Sequence, residues 1–280
     1  MTIKEAINYL HNFNLDNIES RILLKYILKQ DDSYIIINSE KDLKENQEKK
    51  VINYADKIKN GYPLQYITNS QEFMGLTFYV DDNVLIPQPD TENLVIVAIN
   101  KIENKNHEEI SKTNKEKIKI LDLCTGSGAI AVSIKSILKE KVEIIASDIS
   151  KKAIEVARKN AKKHNVQIKF ICSDMFEKIN EKFDLIVTNP PYIRSKEIKL
   201  LPEEVQKEPH IALDGGLDGL EYYRLIRKNI KKYLKENGTL IMEIGYDQKE
   251  DVQKMFKGSK CIKDMENRDR VIIWDPFQVR

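Results

Sequence analysis

The chain has 280 residues, 41% hydrophobic and 32% charged, with a net charge of +2. This supports one large or two smaller folded units with a real core, and it lacks the overall field that would draw the molecule to nucleic acid or an anionic membrane. Cys124, Cys172 and Cys261 lie far apart, no CxxC pair occurs, and no apolar run reaches the ~18 residues of a membrane span, so no metal, no membrane, no signal peptide and a reducing, cytoplasmic setting are expected.

Residues 1–68 read as helices. Ile3, Ile7 and Leu10 recur at helical spacing, as do Ile18, Ile22, Leu23, Tyr26 and Ile27. Val51, Tyr54, Ala55 and Ile58 continue the pattern to the stop signals Gly61 and Pro63. Residues 69–90 alternate apolar and polar positions on either side of Asp81-Asp82-Asn83, which predicts a β-hairpin linker with its turn at those three residues. Residues 91–280 then alternate helix and strand. A helix over 91–100 and a polar loop over 104–117 precede strands over 118–123, 142–148, 168–174 and 183–189. The helices between them cover 129–139 and 150–164. A helix near 219–235, a strand over 238–245, a helix from about 247 and two closing strands near 261–265 and 270–275 complete the chain. The pattern predicts an α/β, Rossmann-like fold: a mostly parallel sheet covered on both faces. The last two strands lack a helix between them, so the final one should run antiparallel to its neighbours.

LDLCTGSGAIA (121–131) ends a strand, turns through glycines and opens a helix. Gly126, Gly128 and Ala131 fit the G-x-G-x-x-A form, where glycine allows close backbone approach and the helix N-terminus offers free N–H groups. Asp148 closes the next strand and can accept from ribose hydroxyls, and Asp174 closes the third, where an adenine edge would lie. A nicotinamide dehydrogenase would show nearly the same trio.

TNPPY (188–192) closes the fourth strand on the same edge. A dehydrogenase does not need it, whereas methyl transfer to an amide or aromatic amino nitrogen does. Such a nitrogen is planar and its lone pair is delocalised, so it must be held in line and allowed to pyramidalise. The side-chain oxygen of Asn189 and the carbonyl of Pro190 can accept its two N–H bonds. Pro190 and Pro191 fix φ and so fix where that carbonyl points, and Tyr192 can pack on the flat face. The contribution is positioning and charge stabilisation.

The chain resembles the protein-(glutamine-N5) methyltransferases that modify class 1 peptide chain release factors. The resemblance covers nearly all of it, through GYPLQYI (61–67), EFMGLTF (72–78), LIPQPDTE (85–92), the glycine and NPPY motifs, EPHIALDGGLDGL (208–220) and MEIGYDQ (242–248). It implies a helical substrate-recognition domain, a hairpin linker and a class I methyltransferase domain that uses S-adenosylmethionine and releases S-adenosylhomocysteine. The implied acceptor is the glutamine of the release factor's Gly-Gly-Gln loop, and a monomer is expected. Carried over, the cofactor loop is Cys124, Thr125, Gly126, Ser127 and Gly128, the ribose acid is Asp148, and Met175 beside Asp174 contacts adenine. Asn189, Pro190, Pro191 and Tyr192 hold the glutamine, with Asn189 also near the cofactor. The 208–220 segment reads as a wall of the acceptor pocket, with Asp218 as a helix cap.

Three positions depart from the family pattern. Gln88 stands where arginine is usual, Cys124 stands where glycine is common, which the turn tolerates if φ is negative there, and Met175 stands where an aromatic is frequent, its thioether still able to pack against adenine. Other readings stay open: glutamine methylation of a ribosomal protein, N-methylation of a nucleic-acid base, a dehydrogenase, or a binding module without chemistry. Residues 1–80 hold 10 Lys and Arg against 11 Asp and Glu, net −1, a poor module for following phosphates and a better one for a protein partner.

Overall fold

The computed structural model describes residues 1–109 and 117–277, so part of the polar loop expected at 104–117 lies outside the described residues. The chain forms two compact units. One comprises 1–70 with 201–207, and the other 71–200 with 208–280. No helix among the described residues is long and apolar enough to cross a membrane.

The smaller unit contains α1 (Ile3–His11), α2 (Asn17–Leu28), α3 (Asp32–Ile37), α4 (Glu45–Lys59) and α5 (Leu64–Thr68). Capping boxes start the first two: Thr2 with Glu5, and Asp16 with Glu19, each pair satisfying end N–H groups that the helix cannot. Ile3, Leu10, Leu23, Leu24, Ile27, Val51 and Ala55 form the core. Ile18, 61% exposed, turns outward, so its helical spacing marks a surface stripe rather than the buried one.

The larger unit opens with β1 (Gln71–Phe73) and β2 (Leu76–Phe78). Their turn is Met74-Gly75, with φ of 52° and 70°, and Phe73 pairs with Leu76 across it. A two-residue turn with both φ positive matches the strand twist, and Gly75 adopts it without strain. The turn expected at Asp81–Asn83 is a separate bend, in which Asp81 Oδ1 accepts from Asn83 N at 3.1 Å. Nor is the hairpin only a connector, because Phe73 and Phe78 lie in the main core of this unit.

After the hairpin come α6 (Pro89–Glu109), β3 (Ile118–Leu123), α7 (Ala129–Leu138), β4 (Val142–Asp148), α8 (Lys151–Lys163), β5 (Lys169–Cys172) and β6 (Phe183–Thr188). Then α9 (Glu203–Gln206) belongs to the smaller unit, and α10 (His210–Leu213), α11 (Glu221–Tyr233), β7 (Leu234–Glu243), α12 (Lys249–Met255), β8 (Lys260–Lys263) and β9 (Asp269–Trp274) complete the larger one. The seven-stranded sheet has the order β5-β4-β3-β6-β7-β9-β8. The first five in that order pair in parallel, and β9 runs antiparallel to both neighbours, as the missing crossover helix predicts. Successive residues of a strand face opposite sides. Ile120, Ile144 and Leu185 pack with α6, α7 and α8, whereas Leu121, Ile145 and Ile186 pack with α11 and α12.

Candidate active site

The carboxyl ends of β5, β4, β3 and β6 lie side by side in that order, and the loops that follow them meet there. Cross-links hold the strand tips together. Thr188 Oγ1 donates to the Leu123 carbonyl at 2.7 Å, Thr125 N to Ser147 O at 2.9 Å, and Ser173 N to Asp148 O at 2.9 Å. Fully buried Asn160 on α8 ties the glycine turn to the hairpin: its Nδ2 donates to Ser127 O and Tyr79 O, both at 2.9 Å.

These loops enclose a cavity of about 990 Å³ including its open mouth. Every residue from Cys124 to Ser127 lines it, as do Asp148, Asp174, Met175, Asn189 and Pro191. Gly128, Pro190 and Tyr192 do not. Gly128 starts α7 at φ 81°, where an added Cβ would meet Ala157 Cβ at 3.0 Å. Pro190 is buried. Tyr192 is half-buried, and its hydroxyl donates to Glu243 Oε1 at 3.3 Å, inside the protein. Pro209 and Ile211 line the cavity from the 208–220 segment expected as a wall, whereas Leu85, Pro87, Thr91 and Tyr222 were not expected there. The first three fall in LIPQPDTE, so the motif was visible while the face it presents was not.

The N–H groups of the glycine turn differ from expectation. Gly126 N donates to Asp148 Oδ2 at 2.9 Å, Gly128 N to Thr125 O at 2.8 Å, and Ala131 N to Asp122 Oδ2 at 3.2 Å. Asp122 lies buried under the turn and also takes the Thr125 hydroxyl at 2.6 Å. Burial holds its carboxyl up at about 7 against those two hydrogen bonds, and the negative Asp148 adds to the rise. Burial also raises Asp148, opposed by the N–H groups of Ser150, Gly126 and Ile149. Cys124 has a φ of +62°, in the left-handed region, contrary to the negative φ that would have made it a free substitute for glycine. Its Sγ sits 3.9 Å from Met175 Sδ, and burial pushes its thiol well above the usual range.

No Lys, Arg or His occurs among the described lining residues, while Asp148 and Asp174 do. Acids in the lining, with the N–H groups of Gly126, Gly128 and Ala131 already committed, make a poor pyrophosphate cradle and a good seat for a cation. A sulfonium nucleoside with a ribose diol fits this set. Each oxygen of Asp148 accepts one backbone N–H, from Gly126 or Ser150, and a carboxylate oxygen has capacity for a second bond.

The other wall is built around Asn189. Its Nδ2 donates to Thr91 Oγ1 at 3.1 Å, at the start of α6. Gln88 lines the cavity but turns its Nε2 back to Ile86 O at 3.0 Å. Glu208 Oε2 accepts from Ile86 N at 2.7 Å, joining the 208–212 wall to the 85–88 wall. Gly215 packs against the Tyr192 backbone, where an added Cβ would lie 2.7 Å from Tyr192 Cα. Gln248, 3% exposed, donates from Nε2 to Tyr192 O at 2.9 Å and Gly219 O at 3.1 Å, and its Oε1 accepts from Gly245 N and the Tyr223 hydroxyl. Asp218 accepts from Leu220 N at 3.2 Å and pairs with Arg224, so it braces the loop before α11 rather than capping the helix.

A mostly parallel sheet of this order with an antiparallel seventh strand, a glycine turn after β3 and Asn-Pro-Pro-Tyr after the neighbouring β6 define a class I methyltransferase. The Methyltransferase small domain family matches residues 108–212, and the PrmC N-terminal domain family matches residues 2–68. The release factor glutamine methyltransferase of Clostridium acetobutylicum is 41% identical, over 91% of this chain and 90% of its own. That of Borreliella burgdorferi is 38% identical, over 98% and 94%. The chain therefore belongs to the release factor glutamine methyltransferase family. In fold it is similar to the solved hMettl16 catalytic domain in complex with MAT2A 3′UTR hairpin 6, at 15% identity and a TM-score of 0.56, over 79% of this chain and 84% of that one.

Proposed function

We propose that this enzyme transfers a methyl group to the side-chain amide nitrogen of the Gly-Gly-Gln glutamine in class 1 peptide chain release factors, and so supports translation termination. When bound, S-adenosylmethionine supplies an electrophilic methyl group whose sulfonium carries the driving force. The chain's own residues bind and orient. Asp148 holds the ribose hydroxyls, Asp174 and Met175 border the adenine, and Cys124 to Gly128 shape the turn beneath the methionine end. Asn189 Oδ1 accepts an N–H bond of the glutamine, which aims its nitrogen at the methyl group and lets it pyramidalise, while Pro190, outside the lining, holds Asn189 and Pro191 in place. Pro191 and the Leu85–Pro87 and Pro209–Ala212 walls exclude water. Tyr192 is a brace behind the site rather than a cover over the amide.

The observation that carries this reading is the cavity's lining: Asn189 faces a chamber edged by carboxylates and free of basic side chains. It suits a cationic donor and a neutral amide acceptor, and it disfavours a nucleotide phosphate. We further assign partner recognition to the helical unit, supported by its slightly negative charge and by the exposed Ile18, Ile36 and Ile37 on α2 and α3. The enzyme acts as a monomer in the cytoplasm, on a protein rather than directly on nucleic acid. Labelled S-adenosylmethionine with a purified release factor, beside the same factor with its loop glutamine changed to alanine, is the test. Label is expected in the first alone. Label in neither, with donor binding intact, would refute the acceptor. Asn189→Ala should lower turnover about a hundredfold or more while cofactor affinity changes little, because positioning is lost in the transition state. Equal losses in both would remove Asn189 from that role.

A further inference from the structure

Pro190 and Pro191 carry no N–H, so the backbone from Asn189 to Tyr192 has few donors of its own with which to be pinned. Its place depends on what holds its two ends. Upstream, the Thr188 hydroxyl donates to Leu123 O at 2.7 Å. Downstream, three successive groups are held. Gln248 Nε2 donates to Tyr192 O at 2.9 Å, Ile193 N donates to Leu213 O at 3.0 Å, and Ile193 O accepts from Gly215 N at 2.8 Å. The last two are backbone bonds to the segment whose Pro209, Ile211 and Ala212 line the cavity. The first is made by a side chain that does not line it.

That side chain is fully committed. Gln248 is 3% exposed at the start of α12. Its amide can donate two hydrogen bonds and accept two, and the fold fills all four. Nε2 also donates to Gly219 O at 3.1 Å, while Oε1 accepts from Gly245 N at 2.9 Å and from the Tyr223 hydroxyl at 3.2 Å. A carbonyl only accepts and a backbone N–H only donates, so the amide has one orientation. Two glycines make its space. A Cβ on Gly219 would lie 2.7 Å from Gln248 Nε2 and 2.5 Å from Tyr192 O, and one on Gly245 would lie 2.8 Å from Oε1. Gln248 thus joins Asn-Pro-Pro-Tyr, the loop before α11, the end of β7 and α11 itself, whose Tyr222 lines the cavity one position before Tyr223.

We propose that Gln248 is a positioning residue for methyl transfer: through the Tyr192 and Gly219 carbonyls it fixes the line of the Asn-Pro-Pro-Tyr backbone, and with it the placing of Asn189 and Pro191 in the cavity. The two residues between Asn189 and Tyr192 have fixed φ, which leaves the chain little freedom to absorb a shift at the Tyr192 carbonyl. A reacting group displaced by about 1 Å can lose about a hundredfold in rate. The cofactor side of the cavity is held by other bonds, Thr125 N to Ser147 O and Gly126 N to Asp148 Oδ2. This role rests on Asn189 facing the acceptor amide.

Gln248→Met keeps the length of the side chain and removes all four hydrogen bonds. Gln248→Glu keeps both acceptors and, ionised at about pH 8.5, turns a carboxylate toward the Tyr192 and Gly219 carbonyls. Both are compared in the full chain with Asn189→Ala and with Asn189→Ala combined with Gln248→Met. Turnover on a release factor is expressed per S-adenosylmethionine-binding site, so unfolded molecules are not counted. Gln248→Met should lower kcat about 10- to 100-fold with cofactor affinity held within about twofold, and Gln248→Glu should lower it at least as much. In the Asn189→Ala background, Gln248→Met should cost less than about threefold, because it acts through Asn189. A parental kcat in Gln248→Met overturns the proposal, as do equal losses of turnover and affinity, or losses that multiply in the double variant. A parental kcat in Gln248→Glu overturns it too, since the donor half of the amide would then be idle. Gln248→Glu retains the Gly245 and Tyr223 bonds, so it decides the question if Gln248→Met fails to fold. A large loss in Asn189→Ala without one in Gln248→Met overturns the role of Gln248 alone. An unchanged kcat in Asn189→Ala overturns the acceptor reading and the role of Gln248 with it.

Discussion

Asp148 has two tasks at the tip of β4. It holds the turn through Gly126 N and the start of α8 through Ser150 N, and it faces the cavity. If it also holds the ribose, Asp148→Ala should weaken S-adenosylmethionine binding about 10- to 100-fold, the worth of hydrogen bonds to a charged group. Calorimetric titration measures this directly, and an unchanged affinity would place the ribose elsewhere. Asp122 makes a different prediction. Its folded pKa, about 7, lies above the ordinary 3.8, so the folded state retains a proton that the unfolded chain has released. The resulting stability is fully present below about pH 4 and is lost as pH rises through 7. Asp122→Asn, which never charges, should therefore gain in Tm relative to the parent between pH 5 and pH 8. A constant difference across that range would show that Asp122 is not neutral in the fold. Both acids were visible in the sequence as strand-end residues, but only Asp148 was recognised. Asp122 reads there as part of a motif, and nothing in the string shows that it is buried under its own turn.

At the scale of elements, the strands and long helices of the larger unit were legible because their apolar positions repeat with period 2 or 3.6. The hairpin turn was misplaced. Asp81-Asp82-Asn83 has strong turn chemistry, whereas Met74-Gly75 is decided by the pairing of Phe73 with Leu76 and by burial of Phe73 and Phe78. The short helices α3 and α5 went unnoticed, since five or six residues carry too few turns to show a period. The loop before α11 is where local geometry reaches the chemistry. Gly215 lets the chain lie against Tyr192, and Gly215 N donates to Ile193 O at 2.8 Å. Gly215→Ala would force a Cβ into the Tyr192 backbone, a clash that no side-chain rotation relieves. It should destabilise the protein by about 1–3 kcal/mol and lower turnover more than cofactor affinity. Thermal melting with single-turnover kinetics would check both, and an alanine variant with parental kcat would show that this packing does not shape the acceptor wall.

For the whole molecule, the division of labour predicts substrate size dependence. A Gly-Gly-Gln loop is flexible and offers few contacts of its own, so binding energy from surfaces remote from the glutamine must orient it. A short peptide bearing the loop should be methylated with kcat/KM lower by at least about a hundredfold than the intact release factor. Comparable rates would mean that the helical unit contributes nothing to catalysis. The unit itself is not a simple N-terminal piece, since residues 201–207 return to it and Gly61 packs on Glu203 there.

Periodicity, glycine turns and acid-ended strands are local properties, and from them the sequence by itself determined the α/β class, the antiparallel last strand and the edge of the sheet at which the candidate site lies. The string could not order neighbours that are distant along it. Thr91 and Asn189, and Tyr192 and Glu243, are joined by hydrogen bonds across 98 and 51 residues of chain, and only the sheet order, with β6 beside β7, brings them together. The direction of Tyr192, the committed donors of the glycine turn and the left-handed Cys124 were likewise decided by tertiary structure. Each depends on what fills the space behind the residue, and burial is a property of the folded whole.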